Sequence, residues 1–212
     1  MSHIFDWIFS QYQGVATELI ILEVIAIIFG LLSVWYSKRE NILVYPTGII
    51  STAIYVYLLL VYQLLGDMLI NAYYFSMSIY GWYLWTRKVD QTHFIPITRA
   101  SKREHVLSVG LFVSAILMVV VVYELFDKWQ SWISYVDILT TAIFFVGMWL
   151  MAKKKLENWI YWIIGDIISV PLYLVKGMVL SSLLYAILTI IAIYGYIAWK
   201  KNLNKSPQSL LK

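Results

Sequence analysis

The chain contains seven long segments in which apolar residues follow one another almost without interruption. Short charged loops separate these segments, which lie at about residues 19–36, 43–62, 67–86, 106–123, 132–151, 158–175 and 178–199. A helix of about 20 apolar residues spans the hydrocarbon core of a bilayer. Helices satisfy their own backbone hydrogen bonds in lipid, where water is absent. The pattern therefore predicts an all-α polytopic membrane protein with seven transmembrane helices.

Composition excludes several other classes. Hydrophobic residues make up 61% of the chain and charged residues 13%, whereas a soluble domain carries about 25% charged residues. There is no Cys, and the three His lie near segment ends without metal-ligand spacing, so no metal site, cofactor or catalytic group is expected. The net charge of +4 comes from basic loop residues, which report orientation in the membrane and indicate no nucleic-acid partner.

The basic residues are distributed unequally between the two sides of the membrane. Of the 16 Lys and Arg residues, 14 fall in loops on one side, and Lys128 and Lys176 fall on the other. The positive-inside rule then predicts an N-terminus outside the cell and a C-terminus in the cytoplasm. Residues 1–18 are too short and too polar to span, and are expected to form an extracellular segment with an interfacial helix. Residues 202–212 are expected to form a cytoplasmic tail.

The sequence contains an internal repeat. The stretch "SIYGWYLWTRK" at 78–88 resembles "AIYGYIAWKKN" at 192–202, with an offset of 114 residues. Further pairs share this relation, the last two if an insertion of three residues is allowed: Trp35 and Trp149, Glu23 and Asp137, Asn41 and Asn158, Gly48 and Gly165. With the insertion, Asp166 aligns with Ile49 and has no acidic counterpart.

The repeat divides the chain into bundles. Residues 19–88 form a first three-helix bundle, 89–130 a cytoplasmic loop and a linker helix, and 131–201 a second three-helix bundle. Both triplets begin outside the cell, so they are parallel repeats in a 3+1+3 arrangement. Parallel repeats with a binding site between them are an architecture of transporters.

One acid lies in the middle of an apolar segment. Asp166 stands in "NWIYWIIGDIISVPLYLVKG", about 10 Å from either membrane interface, where a carboxylate costs about 2.5–3.5 kcal/mol on insertion scales. Helical spacing places it on a stripe with mostly aromatic residues: Trp159, Trp162, Ser169, Tyr173 and Lys176. An acid among aromatic rings suits a ligand that is both cationic and aromatic.

Other polar and aromatic residues have ordinary structural explanations. Aromatic residues near segment ends are typical of the interfacial belt, which covers Trp35, Trp129 and Trp132 and is also the simplest explanation of Trp85, Trp159 and Trp199. Small hydroxyl residues are typical of helix packing, which applies to Ser51, Thr52, Ser114, Ser181 and Ser182. Glu23 and Asp137 also fit a role as structural acids near the outer surface.

Two stretches resemble a known family. "INAYYFSMSIYGWYLW" in the third segment and "LENWIYWIIGDIISVPLYLVKG" in the sixth are similar to the PnuC family of bacterial vitamin transporters, and the resemblance runs from Glu23 to Lys201. It implies a SWEET-like fold, a homotrimer in the bacterial cytoplasmic membrane, and facilitated diffusion of nicotinamide riboside, or of thiamine or riboflavin. It also implies trapping by a cytoplasmic vitamin kinase. Asp166 departs from the Asn that some members carry.

The combined analysis predicts a binding site on the third, fifth and sixth segments. Trp162, Tyr173 and Trp82 are expected to enclose the ring of the substrate, and Asp166 to offset its charge. The hydroxyl groups of the substrate are assigned to Asn71, Tyr74, Ser78 and Thr140, with Trp159 and Ser169 on the same wall. Lys176 and Asp137 are placed at an outer gate, and Gly48, Gly81, Gly165 and Gly195 at close contacts or hinges.

Several alternatives remain. Nicotinamide riboside and thiamine are both flat cations that suit Asp166, whereas riboflavin is neutral and ranks third. Asp166 is also a candidate proton relay. An intramembrane aspartyl protease with Asp137 and Asp166 as its dyad is disfavoured, because the first acid is near the surface and the second is central. A retinal-binding receptor is excluded, because the seventh segment has no Lys before Lys200.

Overall fold

The computed structural model describes residues 15–62, 65–87, 95–127, 129, 131–176 and 178–205. Seven α-helices occupy most of these residues: α1 Thr17–Lys38, α2 Val44–Val61, α3 Leu65–Thr86, α4 Lys102–Leu125, α5 Ser131–Ala152, α6 Asn158–Val175 and α7 Val179–Lys205. The described ranges contain no strand, and one isolated β-bridge joins Thr98 to Lys155. Most of the predicted interfacial segment and of the predicted tail lie outside the described residues.

The predicted helical segments are confirmed. Each predicted segment corresponds to one helix, although α4 begins earlier than expected, at Lys102, and α7 continues to Lys205. Among the described residues, six of the seven helices are long and apolar enough to cross a membrane. The exception is α3, which is 22 residues long but carries polar side chains, among them Asn71, Tyr74 and Ser78. Its place as a seventh span stays a prediction.

Helices α1–α3 are called the first half of the protein below, and α5–α7 the second half. In the first half α1 packs on α2 and α2 on α3, and in the second half α6 packs on both α5 and α7. The halves meet where α1 contacts α7 and where α3 contacts α5. Helix α4 lies against α5 and makes little contact with α3. This packing leaves a space between the two halves.

Helix α4 is anchored at its first turn. Ser101 and Glu104 form a capping box, in which each side chain accepts a hydrogen bond from the other residue's backbone. Glu104 also makes ion pairs of 2.9 Å with Lys153 and 3.1 Å with Lys155, in the loop between α5 and α6. The end of the protein that carries these lysines is called the basic end below. Sequence reasoning used these lysines for orientation and missed that they are paired.

The turns that join α1 to α2 and α5 to α6 have the same geometry. Each contains one residue with positive φ, Glu40 at 55° and Lys154 at 56°. The amide of Asn41 donates to the carbonyl of Tyr36, and 114 positions later the amide of Lys155 donates to the carbonyl of Leu150. Helices α2 and α6 begin at Val44 and Asn158, which are also 114 positions apart.

The expected three-residue insertion is therefore wrong. Asn41 and Asn158 suggested it because they are the same residue, but Asn41 precedes α2 and accepts from the amide of Leu43, whereas Asn158 is the first residue of α6 and donates to the carbonyl of Lys155. Without the insertion Asp166 aligns with Thr52 instead of Ile49. Gly48 then aligns with Trp162 instead of Gly165.

Three tryptophans explained above as interfacial belt are instead buried. Trp85, Trp159 and Trp199 are 5%, 1% and 0% exposed. Glycines on neighbouring helices make room for this packing. A Cβ at Gly81 would lie 2.3 Å from the ring of Tyr45, and one at Gly195 would lie 2.6 Å from the ring of Trp159. Their proximity to segment ends suggested an interfacial position. They are buried instead because each lies on the face of its helix that packs against other helices.

Candidate functional site

A cavity of about 180 Å³ lies between the two halves. Six helices contribute to its wall, and α4 is the one that does not. The second half provides two indole rings and an acid, Trp159, Trp162 and Asp166, while the first half provides glycines and hydroxyl residues together with the rings of Tyr45 and Tyr74. The two walls of the cavity are therefore chemically different.

Asp166 lies on the cavity wall near the middle of α6. It is the ninth of the 18 residues of this helix, so about 12 Å of helix precede it. The residue is 3% exposed, and among the described residues its carboxylate has neither a hydrogen bond nor an ion pair. A buried acid in a membrane helix usually has a partner, so this geometry leaves room for a cation supplied by a ligand.

Aromatic side chains stack behind this acid. The ring of Trp162 lies 5.4 Å from that of Phe144, and Phe144 stacks on Tyr185 at 6.1 Å, between ring centroids. Tyr173 continues the stack at 4.9 Å from Tyr185. Gly165 permits this arrangement, because a Cβ there would lie 2.3 Å from Phe144. The stack holds the indole of Trp162 in place beside the cavity.

The opposite wall is lined by small residues with hydroxyl groups. Ser33 donates to the carbonyl of Val44, Ser51 to that of Ala26, and Thr52 to that of Gly48. The first two bonds join α1 to α2, so the prediction of helix packing describes Ser51 well. Each hydroxyl oxygen that donates in this way can still accept hydrogen bonds, and all three residues line the cavity.

The structure brings five of the predicted binding residues to the cavity. They are Tyr74, Ser78, Trp159, Trp162 and Asp166. Sequence reasoning missed the contributions of α1, α2 and α7 to the lining. Gly30, Ser33 and Ser37 on α1 gave little signal because small residues in an apolar segment are typical of ordinary helix packing.

The other five predicted binding residues lie away from the cavity lining. Trp82 is 41% exposed on the outside of α3, and Asn71 donates to the carbonyl of Asp67 within its own helix. Thr140 likewise donates to the carbonyl of Val136. Ser169 is buried without a hydrogen-bond partner among the described residues, and Tyr173 packs on Tyr185. A shared helical stripe placed them near Asp166 but did not show which neighbouring helix each one faces.

The two predicted gate residues contact each other. Lys176 forms an ion pair with Asp137, and the hydroxyl of Tyr123 donates to the same carboxylate at 3.3 Å. The ammonium of Lys176 also lies 5.1 Å from the centroid of the Tyr173 ring. Asp137 belongs to α5 and Lys176 follows α6, so the ion pair fastens two helices of the second half, and Tyr123 ties it to α4. Because Asp137 is paired with Lys176, it is a poor candidate for a catalytic aspartyl dyad with Asp166.

A cavity between two halves of a multi-pass helical membrane protein is typical of a transporter. The chain belongs to the nicotinamide mononucleotide transporter family, whose model matches residues 20–201. The resemblance to PnuC proteins found in the sequence is thereby confirmed. The homologues are transporters, which agrees with the expectation that the protein is not an enzyme.

Individual relatives point the same way. The nicotinamide riboside transporter PnuC of Escherichia coli (strain K12) is 30% identical over 84% of this chain and 84% of its own length. The riboflavin/roseoflavin transporter RibM of Streptomyces davaonensis is 21% identical over 90% of this chain and 89% of its own. The crystal structure of the vitamin B3 transporter PnuC has a TM-score of 0.65 at 24% identity, covering 87% of this chain and 82% of that one, and shows a likeness of fold.

Proposed function

We propose that this protein carries nicotinamide riboside into the bacterial cell by facilitated diffusion. The observation that carries the proposal is the carboxylate of Asp166, which lies in the cavity without a cation among the described residues. Nicotinamide riboside contains a flat pyridinium cation, and an acid beside an indole attracts such a ring through charge and through cation–π interaction. The E. coli relative that is 30% identical to this chain is named for the same vitamin.

The two walls divide the recognition of the substrate. Asp166 and Trp162, with Trp159, receive the pyridinium ring on the side of the second half. The ribose hydroxyls then face the first half, where Ser33, Ser51 and Thr52 accept hydrogen bonds and where Tyr74 and Ser78 add further polar groups. The charged ring of the vitamin matches the wall with the acid and the indoles, and its ribose matches the wall with the hydroxyl groups. The substrate is therefore expected to bind in one orientation.

Transport proceeds by alternating access, as the two halves rock around the cavity. The common offset of the α1–α2 and α5–α6 turns supports a parallel 3+1+3 repeat of the SWEET type, with α3 as a seventh span and α4 as the linker. The charge distribution supports an N-terminus outside and a basic end in the cytoplasm. Because Asp137 and Lys176 both belong to the second half, they act in an outer gate by moving together as one unit.

Two partners complete the proposal. A facilitator only equalises concentrations, so accumulation requires a cytoplasmic kinase that phosphorylates the vitamin and prevents its return. A homotrimer follows from the resemblance to PnuC proteins, and α4 offers an outer face with apolar side chains, including Val106 and Leu117 at 71% and 61% exposure. The same face is also suited to lipid.

Thiamine is the second candidate substrate and riboflavin the third. The thiazolium of thiamine is a flat cation and would also use Asp166. One relative of this chain, RibM, is named for riboflavin. A neutral flavin, however, would leave the carboxylate of Asp166 without a charged partner, which is costly in the membrane.

A side-by-side titration tests the proposal. Purified protein in nanodiscs is titrated with nicotinamide riboside, thiamine and riboflavin by isothermal calorimetry. We expect saturable binding of nicotinamide riboside that is tightest of the three. Tighter binding of thiamine would transfer the function to that vitamin, and binding of riboflavin alone would contradict the role of Asp166 as a charge partner.

A further inference from the structure

Four buried aromatic residues pack together at the basic end of the cavity. Tyr45 and Trp85 belong to the first half, Trp159 and Trp199 to the second, and all four are at most 5% exposed. Tyr45 and Trp159 also line the cavity, and Trp85 and Trp199 lie near the ends of α3 and α7. We call these four residues the aromatic plug.

The plug is divided along the boundary between the two halves. Within the first half, the rings of Tyr45 and Trp85 meet edge to face at 5.2 Å, and within the second half those of Trp159 and Trp199 do so at 5.5 Å. The contact across the boundary is that of Trp85 with Trp199, at 6.0 Å between centroids. A rocking motion of the halves would therefore open the plug at this one ring pair and keep each edge-to-face pair intact.

Polar contacts fasten the same boundary. Glu40, which follows α1, forms an ion pair of 3.2 Å with Lys154, which follows α5. The ammonium of Lys154 lies 4.6 Å from the centroid of the Trp85 ring, so it also touches the plug. On the other side Asn202 donates to Glu40 at 2.6 Å, and the indole of Trp199 donates to the carbonyl of Ser37 at 2.9 Å.

The closed plug leaves polar atoms without partners. The hydroxyls of Ser37 and Tyr45 and the indole nitrogens of Trp85 and Trp159 are buried and have no hydrogen-bond partner among the described residues. Such atoms are rare in folded proteins because each one loses its hydration on burial. Separation of the halves would expose these atoms to water and to the hydroxyl groups of a passing substrate. The hydrogen bonds gained in this way would offset part of the free energy lost when the rings separate.

We propose that the aromatic plug is the inner gate of the transporter and that the Glu40–Lys154 pair is its latch. The substrate leaves the cavity between Trp85 and Trp199, past the polar atoms of Ser37 and Tyr45. The direction of this exit, toward the cytoplasm, rests on the proposed function. The gate itself rests on the contacts between the halves.

Cysteine accessibility tests the gate without reference to any substrate. The chain contains no Cys, so Ser37→Cys introduces a single thiol, at a side chain that is buried under the latch. Its reaction with a membrane-impermeant maleimide is followed in inside-out vesicles, with the protein otherwise intact. Lys201→Cys, at an exposed position on the same end, serves as the matched control for reagent access.

The gate predicts a specific pattern of rates. Labelling of Ser37→Cys is slow in the parent and rises about fivefold with either Glu40→Gln or Lys154→Gln, as expected for loss of a partly exposed ion pair. It rises no further when the two substitutions are combined, because either one already breaks the pair. Labelling of Lys201→Cys stays constant throughout. Rates that neither single substitution changes overturn the gate, and effects that multiply in the double variant overturn the latch.

The result is separable from the proposed function. If the thiol behaves as predicted but nicotinamide riboside does not bind, the gate stands and the substrate assignment fails. If nicotinamide riboside binds but the latch variants label like the parent, the proposed function stands and the gate fails.

Discussion

The indole rings of Trp85 and Trp199 lie 6.0 Å apart at the boundary between the two halves, although the residues are separated by 114 positions in the chain. Each of these rings meets an aromatic ring of its own half at an interplanar angle of 90°. Residues that match in the repeat therefore contact each other where the halves meet, which supports an approximate two-fold relation between the halves at the basic end.

The cavity departs from that symmetry. Gly48 and Trp162 occupy matching positions, as do Thr52 and Asp166, so one half offers space and a hydroxyl where the other offers a ring and a charge. A symmetric boundary suits a motion that both halves share. An asymmetric cavity suits a substrate whose two ends differ.

Close packing at the plug predicts the effect of adding a methyl group. Gly195→Ala places a Cβ about where the ring of Trp159 lies, 2.6 Å from its nearest atom, so the ring must shift. We expect a loss of about 1–3 kcal/mol in stability, as for other overpacked cores, and a lower midpoint in thermal unfolding in detergent.

Gly110→Ala is the matched control for that substitution. A Cβ at Gly110 meets nothing within 4 Å, and alanine favours helix by about 1 kcal/mol over glycine. The unfolding midpoint should stay the same or rise. Equal destabilisation by both substitutions would show that the packing around Gly195 is looser than described.

Substitution of two tryptophans compares a position in the cavity with one on the outer surface. Trp162→Ala removes a ring that lines the cavity and should weaken binding of nicotinamide riboside by about thirtyfold, corresponding to about 2 kcal/mol of cation–π attraction. Trp82→Ala removes a ring that is 41% exposed and should leave the dissociation constant unchanged. Titration calorimetry measures both, and a larger effect at Trp82 would restore the assignment made from the sequence.

The fold was largely predictable because the bilayer restricts what an apolar segment can form. Seven apolar segments predicted seven helices, and the charge of the loops predicted which ends lie together. The alignment of α2 with α6 was not predictable from Asn41 and Asn158, because the same side chain stands before one helix and inside the other. Hydrogen bonds at the two turns decided that alignment.

The site was predictable where one residue broke the pattern of its segment. Asp166 was such a residue, and Trp159 and Trp162 followed from it by helical spacing. Spacing along one helix does not show which neighbour that helix packs against, so Tyr173 and Ser169 were included although packing takes them away from the cavity lining. Ser33 and Gly30 carried too little signal, since small residues in membrane helices usually serve packing.

Uptake measurements can distinguish two roles of Asp166, as a partner for the charge of the substrate and as a proton relay. If the carboxylate pairs with the charge of the substrate, initial uptake of nicotinamide riboside into proteoliposomes should be equal with and without a pH gradient, once any membrane potential is collapsed with an ionophore. A proton relay couples the two flows, so an inward gradient would then raise uptake. Uptake that follows the gradient would contradict facilitated diffusion.

The most direct measurement is the affinity of Asp166→Asn for nicotinamide riboside in purified, monodisperse protein. Asparagine has nearly the same shape and is less costly in a membrane helix, so the variant should fold. Loss of a charged partner should weaken binding by about 1.5–3 kcal/mol, which is at least about tenfold. Glu124→Gln, an exposed acid on α4, should bind like the parent. An unchanged dissociation constant in Asp166→Asn would contradict the claim that this carboxylate offsets the charge of the substrate.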